Sequence, residues 1–279
     1  MATLDKATVD TLAEHLENAE LEARDVVKIT DDYPAMDYED AYNIQWEIRR
    51  RKESRGHRIV GMKMGLTSWA KMAQMGVEQP CYGFLADYFS CESGAAIDTA
   101  KLIHPKVEAE IAFVTKAPLR GPGCHVADVF AATDFILPAV EVIDSRYRDF
   151  KFDLVSVCAD NSSSSRFVTG GRRLPVDATD LTTLGVVMEK NGEIVEMSTG
   201  AAVLGNPAAS VAMLANMLGE RGEEIPAGTF IMTGGVTAAV AVADRVMRGS
   251  FEPGYQTPAG LYGPDMVLEL DGVKRFDVS

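Results

Sequence analysis

The chain has 279 residues, 47% hydrophobic and 24% charged, a composition that excludes general disorder and allows one large core or a core with a smaller attachment. A formal net charge of -14 opposes a nucleic-acid role, because phosphates would meet a repulsive surface; an anionic small substrate stays possible where a metal, Lys or Arg reverses the local field. Cys81, Cys91, Cys124 and Cys158 form no CxxC or Cys/His group, so neither a zinc knuckle nor a disulfide framework is expected.

The start, MATLDKATVDTLAEHLENAE, is polar and acidic and lacks a signal-peptide pattern, and the longest apolar stretches, such as FIMTGGVTAAVAVA, are glycine-broken and short of a membrane span. A cytoplasmic protein without a membrane partner is expected. Residues 5 to 27 read as a helix with Leu12, Leu16 and Leu21 as apolar contacts. A second helix, MDYEDAYNIQWEIRRRKESRG, ends in a basic cluster followed by Gly56. RIVGMKMGLT then reads as a strand and turn, and SWAKMAQMGV as a short helix. Residues 1–75 are expected to form an N-terminal α/β cap region and 76–279 the catalytic domain.

From residue 81 short apolar runs alternate with turns: YGFLADYFS, EAEIAFVTKA, DFILPAVEVIDSRY, LTTLGVVMEKNGEIV and FIMTGGV. Asn191-Gly192 marks a hairpin with arms at Leu184–Met188 and Glu193–Val195, and DMVLELDGVKRFDVS suggests another. Only NPAASVAMLANMLGERG, read as an amphipathic helix, interrupts this pattern. A β-rich, mostly antiparallel domain is favoured over a doubly wound sheet.

HPKVEAEIAFV, His104 to Val114, raises the functional question. Extended, it sends Glu108 and Glu110 to one face and Val107, Ala109 and Ile111 to the other. The pair is either the wet face of an amphipathic strand or a pair of oxygen ligands for a hard cation. Glu141 in ILPAVEVIDSR would complete an all-oxygen set suited to Mg²⁺ or Mn²⁺; alone it reads more often as an edge-strand charge. His104 beside the pair reads as a supporting residue.

Lys63 in GMKMGLT is either a surface amine at a strand end or, near a metal, a donor to a developing enolate. Asp87 in FLADYF divides between structural hydrogen bonding and proton transfer. ADNSSSSRF offers Asp160, Asn161, Ser162 and Arg166 to orient oxygen atoms, but no GxSxG elbow accompanies them. TGGVTAAV brings small residues and the Thr233 hydroxyl where backbone amides favour an anion, or it is only a tight turn.

Taken together, GMKMGLTSWAKMAQMGV, YGFLADYF, LIHPKVEAEIAFV, ATDFILPAVEVIDSRY, FKFDLVSVCADNSSSSRFVTGG and IMTGG resemble the fumarylacetoacetate hydrolase superfamily, more closely its 2-oxo-3-hexenedioate decarboxylase branch, over nearly the whole chain. The resemblance implies an α+β, β-rich fold with mixed sheets around a central pocket and a smaller helical N-terminal region. It implies that Glu108, Glu110 and Glu141 bind a divalent cation, Mg²⁺ or Mn²⁺. It assigns Lys63, Asp87 and Ser162 to catalysis, with Leu66, Asp160, Asn161, Arg166, Thr233, Gly234 and Gly235 facing substrate.

The reaction so implied is loss of carbon dioxide from a small dicarboxylate in meta-cleavage degradation of aromatic compounds, by a homo-oligomer associated with a 2-hydroxypentadienoate hydratase. The rivals are the sister hydratase reaction, hydrolysis of an acylpyruvate and a non-catalytic place in a metabolic complex.

Overall fold

Alternation of apolar and polar residues at the helical period builds the first two helices. Helix α1 (Lys6–Leu21) begins where the Asp5 side chain accepts from the Thr8 amide at 2.8 Å, and it buries Val9, Leu12, Ala13 and Leu16. Helix α2 (Tyr38–Ser54) opens on a reciprocal Asp37–Asp40 capping box and ends with Arg51 and Lys52 in its last turn, where cations suit the helix dipole. The two helices pack on each other through charge as well as apolar surface. Buried Lys52 places its Nζ 2.7 Å from Glu20 Oε2 and 2.7 Å from the Tyr88 hydroxyl, while Glu17 accepts from Arg51 Nε at 2.7 Å.

In this computed structural model, residues 3–69, 72, 73 and 76–242 are described throughout, and 247–252 and 266–270 by their backbone. The main sheet holds β1 (Ile59–Gly65), β2 (Cys81–Ala86), β3 (Ser90–Cys91), β5 (Lys106–Thr115), β6 (Thr133–Ile143), β7 (Ser164–Thr169), β10 (Phe230–Met232) and β11 (Val240–Ala241). Its order is β2-β1-β10-β5-β6-β7-β3, with β11 also on β5. Pairs β1–β10 and β3–β7 are parallel and the others antiparallel. A smaller sheet, ordered β4-β13-β12-β8-β9, is built from β4 (Ala96–Ile97), β8 (Gly185–Lys190), β9 (Glu193–Thr199), β12 (Met247–Glu252) and β13 (Met266–Leu270).

The fold is therefore α+β with mixed sheets, as the sequence suggested. The Asn191-Gly192 hairpin forms between β8 and β9, both turn residues at positive φ. The second expected hairpin is only partly described: Met266–Leu270 is a strand, paired antiparallel with β12, and residues 271–279 lie outside the described residues. Of the SWAKMAQMGV helix expectation, residues 69, 72 and 73 are helical, while 70, 71, 74 and 75 lie outside the described residues. The sheet runs across the division expected at residue 75, since β1 and β2 are paired neighbours.

Helix α5 (Pro207–Glu220) is the expected amphipathic helix, capped by Asn206. By length and composition residues 200–220 would cross a membrane, yet half of that stretch is buried in the fold, as for a core helix of a globular protein. Two further helices, α3 (Val126–Ala132) and α4 (Leu154–Ala159), correct the expectation of a single helical interruption. Each is too short to show a helical period.

Helix α4 matters because it aims the chain at the site. Gln45 of α2, itself buried, donates from Nε2 to the carbonyls of Tyr82 and Cys158, both at 2.8 Å, tying β2 to α4. After α4, Asn161, Ser162 and Ser163 all take left-handed backbone angles, φ 49°, 53° and 57°. Three such non-glycine residues in a row store strain that their surroundings must hold.

Arg146 supplies much of that hold. It is buried, pairs through Nε with Asp160, and donates from Nη1 to the carbonyls of Asp144 (2.8 Å) and Ser164 (2.9 Å) and from Nη2 to that of Asp160. Burial lifts the Asp160 carboxyl to about 6 against the pull of Arg146, so it is ionised at neutral pH. Replacing Asp160 with alanine leaves a buried guanidinium without its counter-charge, and urea unfolding is expected to report a loss of about 3–5 kcal/mol.

Candidate active site

Strand alternation and register bring the three glutamates together. Glu108 and Glu110 share a face of β5, and Glu141 of β6 stands directly opposite Glu108. All three are buried, and one carboxylate oxygen from each lies within 4.8 Å of the others. Further along the same face, Ala112, Leu137 and Ala139 join Leu85, Phe167 and Met232 in an apolar cluster. Beyond Glu110 in that direction the surface is hydrophobic.

Lys63 reaches them from β1. Its Nζ lies 2.7 Å from Glu141 Oε1, an ion pair rather than an aligned hydrogen bond, and donates to the Ser162 carbonyl at 2.9 Å. Burial alone would lower the lysine pKa, but the charges of Glu141, Glu110 and Glu108 outweigh it and hold the ammonium above its ordinary value. Burial raises Glu110 well above the usual carboxylate range, with the Glu141 charge adding to it; burial also raises Glu141, against the pull of Lys63. One ammonium does not balance three carboxylates.

The donor set fits a hard divalent cation on the structure's own terms. Glu110 Oε1 and Glu141 Oε2 are buried without a hydrogen-bond partner, and the ligand atoms offered are all carboxylate oxygens, as Mg²⁺ or Mn²⁺ prefers. The TGG turn after β10 closes over them. The Gly234 amide donates to Glu110 Oε2 at 2.7 Å, and its φ of +98° favours glycine. A Cβ at Gly235 would sit 2.6 Å from Glu108 Oε2, so a side chain there would displace the carboxylate.

A cavity of about 450 Å³ opens beside this cluster, lined by Lys63, Leu66, Thr67, Glu108, Ser162 and Gly235 among others. Leu66 holds a left-handed conformation, φ 58°, at its edge. The Thr67 and Ser163 hydroxyls are buried there without partners, and neither residue was singled out from the sequence. A larger groove of about 1020 Å³, between α2, α3 and α5, contains none of the three glutamates.

Several residues expected to act in catalysis or to face substrate are engaged by the protein itself. Asp87 starts the turn after β2, four residues beyond the Gly83 that pairs with Lys63, hence about 13 Å along the strand. There the Arg58 amide, at 3.1 Å, together with the His57 ring and the Tyr88 amide, outweighs slight burial and keeps its carboxyl below the usual range; it stabilises a turn and does not line the cavity. Asp160 belongs to Arg146. Asn161 pairs its amide with the backbone of Phe84, accepting at 2.8 Å and donating at 3.0 Å.

Arg166 donates to its neighbour's carbonyl, Ser165, at 2.9 Å and lies 5.9 Å from the Tyr88 and Phe89 rings. The Thr233 hydroxyl donates to the Ile111 carbonyl at 2.7 Å, fastening the TGG turn to β5. Ser162 does line the cavity, with its hydroxyl 3.2 Å from Cys81 Sγ and its carbonyl on Lys63.

No protein-family model matches the chain. It is 71% identical over 241 residues to a 4-oxalocrotonate decarboxylase of Pseudomonas putida, a match covering 86% of this chain and 91% of that one. It is 39% identical to a 2-hydroxyhexa-2,4-dienoate hydratase of Comamonas testosteroni, over 88% of this chain and 96% of the other. The solved structure of 4-oxalocrotonate decarboxylase from Pseudomonas putida G7, complexed with magnesium and adipate, superposes with a TM-score of 0.91 at 61% identity, covering 97% of this chain and all of that one. The chain belongs to the family of 4-oxalocrotonate decarboxylases and dienoate hydratases within the fumarylacetoacetate hydrolase superfamily.

Proposed function

We propose that the protein removes carbon dioxide from 2-oxo-3-hexenedioate, 4-oxalocrotonate, giving 2-hydroxypenta-2,4-dienoate, as a cytoplasmic homo-oligomeric lyase of aromatic catabolism. The observation that carries this reading is the buried Glu108–Glu110–Glu141 cluster ion-paired with Lys63 at the end of a cavity, in a chain so similar to decarboxylases of that substrate. Glu108, Glu110 and Glu141 would hold Mg²⁺ or Mn²⁺. When bound, the cation supplies a Lewis acid for the 2-oxo acid end of the substrate.

The rest of the chemistry lies within the substrate and the chain. As C6 departs as carbon dioxide, the C5–C6 electron pair becomes the C4–C5 double bond, the C3–C4 pair moves to C2–C3, and the C2 oxygen takes the charge. Lys63, held protonated by its carboxylate neighbours, donates a hydrogen bond or a proton to that oxygen. The Ser162 carbonyl fixes the amine, and the strained turn carrying it keeps that carbonyl aimed inward. Leu66 shapes the cavity wall, and the apolar surface beyond the acids excludes water that would otherwise add to the dienoate. Product release to a 2-hydroxypentadienoate hydratase, itself resembling this chain at 40% identity, completes the proposed role.

Purified protein reconstituted with Mg²⁺ is expected to yield one carbon dioxide and one dienoate per 2-oxo-3-hexenedioate, with turnover nearly abolished by chelation or by Glu110→Gln. Hydration of supplied dienoate without carbon dioxide release would move the assignment to the sister hydratase. Lys63→Met is expected to lower kcat by about 10²–10⁴-fold with metal affinity retained, measured by stopped-flow turnover and magnesium titration.

The charge cluster also sets a pH-dependent stability. Raised carboxyl pKa values mean that the metal-free fold binds more protons than the unfolded chain, so its stability falls as pH rises above the ordinary carboxylate range. Magnesium is therefore expected to raise Tm more at pH 8 than at pH 5.5. Glu110→Gln should raise the metal-free Tm while weakening the magnesium response, as scanning calorimetry would show.

A further inference from the structure

Lys106 lies two residues before Glu108 on β5 and shares its face, which places its Cα about 7 Å from that of the ligand glutamate. It lines the same cavity as Lys63. Lys63 is committed to Glu141 and the Ser162 carbonyl, whereas Lys106 has no ion-pair partner among the described residues. Its ammonium instead rests 4.0 Å from the centre of the Phe150 ring.

That ring is deliberately placed. Asp149 and Phe150 both adopt left-handed backbone angles, φ 57° and 59°, and the Phe150 ring also neighbours His104 at 5.0 Å and Phe152 at 6.1 Å between centroids. Consecutive non-glycine residues in this conformation store strain and cluster where a side chain must be presented. Phe150 and Phe152 form an aromatic wall of the cavity, and Lys106 is held against it.

Resting on the decarboxylase reading, we propose that Lys106, held over the Phe150 ring, recognises the distal carboxylate of the substrate and so selects dicarboxylates over monocarboxylates. A six-carbon chain spans five bonds, at most about 7.5 Å at about 1.5 Å per bond, comparable with the roughly 7 Å of β5 backbone between Glu108 and Lys106. Arg166, expected from the sequence to face substrate, lies against Tyr88 and Phe89 and does not line the cavity.

The aromatic contact suits a carboxylate that must leave. As the C5–C6 bond breaks, the carboxylate's charge passes into the dienolate and its ion pair with the ammonium fades. The ring continues to stabilise the cation, so the ground state is not held too tightly. Lys106 is thus a specificity residue whose loss weakens substrate binding without removing the groups that receive the electrons.

The test uses two non-reacting probes with the same 2-oxo acid head, 2-oxoadipate and 2-oxohexanoate, titrated calorimetrically onto the magnesium-loaded protein. Lys106→Met is expected to weaken 2-oxoadipate about tenfold and leave 2-oxohexanoate unchanged, with Lys106→Arg restoring the preference. With 2-oxo-3-hexenedioate, KM should rise about tenfold while kcat does not fall. Unchanged 2-oxoadipate affinity, or equal loss of both probes, would overturn the assignment. If the wild-type protein selects 2-oxoadipate through Lys106 yet releases no carbon dioxide, the decarboxylase reading fails and this one stands.

Discussion

The structure is organised around three carboxylates held out of water on one sheet face with a single ammonium beside them. Like charges so close repel, and burial strengthens the repulsion because the surroundings screen poorly. The fold makes this arrangement by register: pairing Glu108 with Glu141 fixes two of the acids, strand alternation fixes the third, and the order β1-β10-β5-β6 delivers Lys63 from the far side. A one-residue slip in any of these pairings would turn a charged side chain to the opposite face. The same network therefore imposes a metal requirement and a strict register.

A second constraint supports the first. Ser162 presents a carbonyl to Lys63 only because three successive residues hold left-handed angles, and that segment is fastened on every side. Arg146 binds the carbonyls flanking it, Asn161 imitates a neighbouring strand against Phe84, and Gln45 bridges the two elements below. Much of the polar content of ADNSSSSRF is thus internal. Its buried hydrogen bonds trade adaptability for a fixed donor geometry at the lysine, in keeping with sites that carry strain in rigid surroundings.

This explains which parts of the site were legible in the amino-acid sequence. Glu108 and Glu110 declare a common face through their spacing alone, and an antiparallel neighbour suffices to bring Glu141 alongside. The helices α1, α2 and α5 are long enough to show their period, and Asn191-Gly192 has a turn chemistry of its own. Asp87 was misplaced because local sequence does not say which end of a strand meets the pocket; only the Lys63–Gly83 register does. Asp160, Asn161 and Thr233 look like binding groups because a polar side chain in a loop reads the same whether its partner is a ligand or the backbone. Lys106 was readable in principle, since the alternation that paired the glutamates extends one step back to it.

The relatives of this chain include both decarboxylases and dienoate hydratases. On the proposed reading, the glutamates and Lys63 would create an electron sink at C2, and that sink would serve a departing carboxylate or an incoming water equally well. Discrimination must then come from groups about one substrate length away, where a cation can engage a carboxylate and an aromatic wall can exclude water. In this chain that distance along β5 is two residues, from Glu108 to Lys106, with Phe150 beneath the ammonium. On the proposed reading, a specificity element on the same strand as the glutamates would move with them as one rigid unit, so the separation of the two ends of the site would be set by backbone geometry and not by loop conformation.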